Sequence, residues 1–138
     1  MKVVVVFFSL KKNQNLRDIA TALAKGIETQ GCNVDIIDAA AMPDRKLVIY
    51  NYIAVGTEQT SFLGKISEKI TYYLREAGSL TGKKSLAFIL KSTVGSTKAL
   101  LELMGVMEKE GMFIKNSLVF KQPGEAFEAG KKLHILSS

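Results

Sequence analysis

Three short stretches of this chain carry the side chains that could do chemistry. The first is Ser9-Leu10-Lys11-Lys12-Asn13-Gln14-Asn15, a polar run that directly follows the apolar Val3 to Phe8. Its hydroxyl, amide and ammonium groups are donors suited to an anion, and an ammonium binds phosphate as a point charge. The second is Gly56-Thr57-Glu58-Gln59-Thr60-Ser61-Phe62. The third is Ser92-Thr93-Val94-Gly95-Ser96, whose small residues let backbone N–H groups come close to a ligand. Protein-borne catalysis has no support. The single histidine, His134, lies beside no loop nucleophile, so no Ser/His/Asp arrangement can be built. A lone Cys32 and a lone histidine also exclude an internal disulfide and a Cys/His zinc site. Any redox chemistry must come from a cofactor.

The elements between these stretches decide whether they can meet. Val3 to Phe8 is continuous, β-branched and aromatic, as expected of a strand buried on both faces at the centre of a parallel sheet. Leu16, Ile19, Ala20, Leu23 and Ile27 recur at helical spacing, with Asn13 and Asn15 available as caps and Gly31 as a stop. Val34 to Ile37 is the next strand, which completes a right-handed βαβ unit. The third strand is expected at Tyr52 to Val55, ending at Gly56-Thr57, with 44–51 as a loop or short helical turn. A second helical stripe runs from Ser61 through Phe62, Leu63, Ile66, Ile70, Tyr73 and Leu74 to a stop at Gly78. Lys84 to Leu90 is the fourth strand, Leu100 to Met107 the third helix, Ser117 to Phe120 a short fifth strand, and Pro123-Gly124 opens a last helix. Five strands alternating with four helices give a doubly wound α/β fold, one domain over residues 1–138. In such folds ligands bind beyond the carboxyl ends of the strands, where the three polar stretches fall.

A dinucleotide fold needs a glycine-rich turn after the first strand, and this turn contains no glycine. A triphosphate loop ending in Gly-Lys-Ser/Thr is absent, and no aspartate closes the third strand as a phospho-acceptor domain requires. The chain instead resembles the flavodoxin family over nearly its whole length. The resemblance is carried by Ser9, Asn13, the Leu16–Ile27 helix, Gly56-Thr57, Gly82-Lys83 and the segment Phe88 to Gly95. It implies a three-layer sandwich with a five-stranded parallel sheet of order 2-1-3-4-5. It also implies FMN as cofactor and a role in electron transfer or as a small flavin-dependent reductase. The phosphate would rest on Ser9, Lys11, Lys12, Asn13, Gln14 and Asn15. The ring would lie between Gly56, Thr57, Glu58, Gln59, Thr60 and Phe62 on one side and Ser92, Thr93, Val94 and Gly95 on the other. The chain departs from the family motif at Lys11 and Gln14, where threonines are usual, at Lys12, where glycine is usual, and at Thr60, where an aromatic is usual. Phe62 is either core, as the first apolar residue of its helix, or flavin-facing. Glu58 is an odd neighbour for a flavin, because an anion disfavours the reduced ring. Two alternatives to FMN stay open: a non-redox binding domain of the same fold, and another phosphate-bearing ligand drawn by Lys11 and Lys12.

The net charge of +6 comes from lysines scattered along the chain, with no aromatic interleaving of the kind a nucleic-acid platform needs. A redox partner would accordingly present an acidic face, and no nucleic acid is expected. No stretch approaches the about 20 apolar residues of a membrane span. With one cysteine, the expected compartment is a reducing cytoplasm.

Overall fold

In a computed structural model, which describes residues 1–135, the chain runs β1 (Lys2–Phe8), α1 (Gln14–Glu28), β2 (Asn33–Asp38), β3 (Tyr52–Thr57), α2 (Glu68–Glu76), β4 (Lys84–Leu90), α3 (Ser96–Lys109), β5 (Phe113–Phe120) and α4 (Pro123–Lys132). The five strands are parallel in the order β2-β1-β3-β4-β5, as the sequence predicts. Alternation along β1 divides the core. Val4, Val6 and Phe8 face α2, α3 and the β2–β3 connection, whereas Val3, Val5 and Phe7 face α1 and α4. The order reverses at β1 and β3, so the loops that follow these two strands meet at the carboxyl edge.

Helix α1 follows its sequence pattern: Leu16, Ile19, Ala20, Leu23 and Ile27 are buried. Asn13 is its N-cap, with the side-chain oxygen accepting from the Asn15 N–H at 2.9 Å. The β2–β3 connection, residues 39–51, contains no helix. Side chains hold it instead. The Tyr50 hydroxyl donates to the Asp35 carboxylate at 2.6 Å and accepts from the Arg45 guanidinium at 3.1 Å. Tyr73 of α2 donates to the Arg45 carbonyl at 3.0 Å, and the Lys83 ammonium donates to the carbonyls of Val48 and Tyr50 at 2.7 and 2.8 Å. Burial pushes the Tyr73 hydroxyl up to about 12, with the Arg45 charge opposing the shift. Burial also raises Tyr50, and both the hydrogen bond and the charge of Asp35 add to it.

Two expected elements differ. Helix α2 begins at Glu68 rather than near Ser61, because Ser67 caps it by accepting from the Lys69 N–H at 3.2 Å. Upstream, an isolated antiparallel bridge between Gln59 and Ile66 ties residues 59–66 into a loop. Ile66, Ile70, Tyr73 and Leu74 are buried as their spacing suggests, but Phe62 is 74% exposed at the loop tip, neither helical nor core. Strand β5 starts at Phe113, not Ser117. It is an edge strand whose exposed Lys115 and Asn116 break the apolar run that would have marked it, and its register against β4 shifts at Ser85/Leu86.

Candidate functional site

The turn after β1 is shaped as an anion cradle. Ser9 is buried, and its hydroxyl accepts from the Asn13 backbone N–H at 2.8 Å. Lys12 has φ +52°, the left-handed conformation that glycine adopts without strain. The lysine therefore holds a backbone geometry that favours glycine, at a local cost.

What the cradle holds is a side chain of the same protein. The Glu58 carboxylate, from the turn after β3, accepts from the Ser9 hydroxyl through one oxygen and from the Asn13 side-chain amide at 2.7 Å through the other. Two donors of the turn after β1 are thus spent on an internal anion. The rest of the loop diverges. The Gln14 amide turns along the helix to Asp18 at 2.8 Å, and Asn15 offers its backbone N–H to the Asn13 side chain. Lys11 lines a small cavity of about 190 Å³ with Thr57, Glu58, Gln59 and Thr60, whereas Lys12 lines a second, larger cleft together with Ser9.

The second and third stretches close on each other. The Gln59 side-chain amide donates to the carbonyls of Ser61 and Val94 at 2.8 and 2.6 Å, so one residue bridges the β3–α2 and β4–α3 loops. Gly95, at φ +92°, packs so tightly that a Cβ there would lie 2.7 Å from the Gln59 amide nitrogen and 2.9 Å from the Phe62 carbonyl. Ser92 and Ser96 bond to each other, which fixes the start of α3, while Thr93 and Val94 are exposed. Thr57 is buried with its hydroxyl on the Phe8 carbonyl at 2.7 Å. Gly56 answers to the core: a Cβ there would lie 2.1 Å from the Phe88 ring. The carboxyl edge therefore brings Ser9, Asn13, Glu58 and Gln59 together, leaves Phe62 and Val94 in solvent, and uses Gly56 and Thr57 as scaffold. Nothing in the sequence announces the Glu58 contact, since its partners lie 45 and 49 residues away.

Among the described residues no group of three or more potential metal ligands occurs, and no helix is long and apolar enough to cross a membrane. No family model matches the chain, and no curated protein matches it in sequence. Solved structures do resemble it. A flavodoxin from the domain Archaea is 22% identical, with 98% of this chain and 94% of that chain covered and a TM-score of 0.72. Oxidised flavodoxin 1 from Bacillus cereus is 19% identical over 94% of this chain and 95% of that one, with a TM-score of 0.75. The flavodiiron protein from Giardia intestinalis is 16% identical over 96% of this chain but 35% of its own, with a TM-score of 0.67. At these identities the likeness is one of architecture, and together with the strand order it shows that the chain has the flavodoxin-like fold.

Proposed function

We propose that this chain is a flavodoxin-fold binding domain in which FMN is not the resident ligand. The observation that carries the reading is the Glu58 carboxylate on the Ser9 hydroxyl and the Asn13 amide. A phosphate seeking the same two donors meets a carboxylate already there, and two anions in one small site repel. FMN must first displace Glu58, and its apparent affinity falls by the fraction of molecules in which the cradle is free. The ring meets a second obstacle, because Gln59 joins the two loops that would flank it and Gly95 packs against the Phe62 carbonyl. The cavity beside Thr57 to Thr60, where the ring would lie, is about 190 Å³, below the about 300 Å³ at which small-molecule pockets begin, and the larger cleft lined by Ser9 and Lys12 reaches no residue of 57–60. As the residues stand they do not fit FMN.

A second reading keeps FMN as a ligand of an opened form, with electron transfer as its use. It is supported by the left-handed backbone of Lys12 and by the Ser9 hydroxyl accepting from the Asn13 N–H, which keep the turn after β1 compact. The visible absorption spectrum of freshly purified protein separates the two. A colourless protein that stays colourless after incubation with FMN and desalting supports the first reading. A yellow protein with stoichiometric flavin supports the second and overturns the first.

A further inference from the structure

The helix-free β2–β3 connection leaves part of the sheet's carboxyl edge uncovered. Between that connection and α2 lies a cleft of about 550 Å³, within the range of small-molecule sites, which is about 300–1,000 Å³. We infer that this cleft binds a small one- or two-ring aromatic molecule carrying a single negative charge, a carboxylate or a sulfonate. The inference goes beyond the function proposed above: the cleft shares Ser9 and Lys12 with the turn after β1, but no residue of 57–60 or 92–95 lines it.

The walls suit an aromatic body. Phe8 and Tyr73, both buried, line it, and so does Tyr72, 59% exposed, whose ring has the Arg75 guanidinium over it at 5.4 Å. The Tyr73 hydroxyl is committed to the Arg45 carbonyl and, pushed up to about 12, stays neutral at ordinary pH, so it does not repel an anion. The charges suit a single acid. Lys12, Lys46 and Lys69 line the cleft against Asp44 and Glu76, an excess of one positive charge. Lys46 donates to the Glu76 carbonyl, whereas the ammonium groups of Lys12 and Lys69 make no hydrogen bond or ion pair. Lys12 also brings its strained backbone to this cleft. Strained backbone of this kind is concentrated at ligand sites, and its φ of +52° stands at the cleft's edge.

Anilinonaphthalene sulfonate, an aromatic with one fixed negative charge, is the probe. It is titrated into the full chain and followed by fluorescence and by amide proton–nitrogen NMR. The expected result is saturable one-to-one binding, with shifts confined to residues 8–12, 39–46 and 69–76. Uncharged anilinonaphthalene should bind about tenfold more weakly, and Lys12→Gly and Lys69→Gln should each weaken the sulfonate by a similar factor. Lys12→Gly suits the local backbone, so its loss of binding cannot be ascribed to misfolding. Absence of saturation, shifts at other residues, equal binding of the uncharged probe, or unchanged affinity in both variants would each overturn the inference. So would displacement of the probe by FMN, which would assign it to the other site. A yellow purified protein would overturn the function proposed above and leave this cleft untouched.

Discussion

Glu58 reaches from the end of β3 to the first turn of α1 and takes the Asn13 side-chain amide at 2.7 Å. Asn13 is at the same time the cap of that helix, so the carboxylate sits at the positive end of the α1 dipole, where an external anion would be favoured. The contact therefore joins three things: the capping of α1, the closure of the cradle and the placement of the β3–α2 loop.

Removing the internal anion should cost stability and expose the cradle. In Glu58→Ala the Ser9 hydroxyl and the Asn13 amide lose their acceptor, at a cost of about 1–3 kcal/mol in urea denaturation. Inorganic phosphate should then raise the melting temperature of the variant while leaving that of the parent protein unchanged. A variant as stable as the parent, with no response to phosphate, contradicts the assignment.

Lys12→Gly should stabilise the protein. Relief of the left-handed strain outweighs the extra freedom that glycine gives the unfolded chain, for a gain of about 0.5–1 kcal/mol. Equilibrium unfolding is the check, and a loss of stability would mean that the turn has a different backbone.

Gln59→Ala should free the two loops from each other. Two side-chain hydrogen bonds disappear, worth about 1 kcal/mol each, and hydrogen exchange at residues 59–66 and 93–95 should quicken while β3 and β4 remain protected.

Phe62→Ser should change stability by less than about 0.5 kcal/mol, because the ring lies in solvent. Leu74→Ala, at a buried position of α2, should cost about 2–5 kcal/mol. The pair tests where α2 begins, since a helix starting near Ser61 would make the Phe62 change costly.

Alkaline pH should destabilise the fold from about pH 10 upward. Tyr73 titrates near 12 when folded against an ordinary value of 10.0, so between these values the unfolded state has released a proton that the native state keeps. Stability is full below pH 10 and falls as pH rises through that window, and burial of Tyr50 and Tyr52 acts in the same direction. Tyr73→Phe should reduce the slope of stability against pH above 10, measured by urea denaturation at stepped pH.

The architecture was legible because it is written in local patterns. The unbroken run from Val3 to Phe8 marks a central strand, the Leu16 to Ile27 spacing marks α1, and their alternation fixes the fold class. Phe62 misled because it lies in phase with the stripe at Ile66, Ile70 and Tyr73, while the Gln59–Ile66 bridge and the Ser67 cap cut the helix short. Strand β5 was half legible, since its first residues lie on the sheet's edge and carry Lys115 and Asn116. The site was legible as three loops but not as a set of contacts. The pairing of Glu58 with Ser9 and Asn13 spans most of two βα units, and only the sheet order brings it about. The cleft lining was missed for a related reason: Lys12, Lys46 and Lys69 come from three separate elements and share no motif.

Calorimetric titration of FMN into the unmodified protein and into Glu58→Ala tests the central claim most directly. The account predicts no saturable heat for the unmodified protein at micromolar concentration, and a gain of phosphate-dependent binding in the variant, seen with FMN and absent with riboflavin. Stoichiometric micromolar binding of FMN to the unmodified protein, unchanged in the variant, would contradict it.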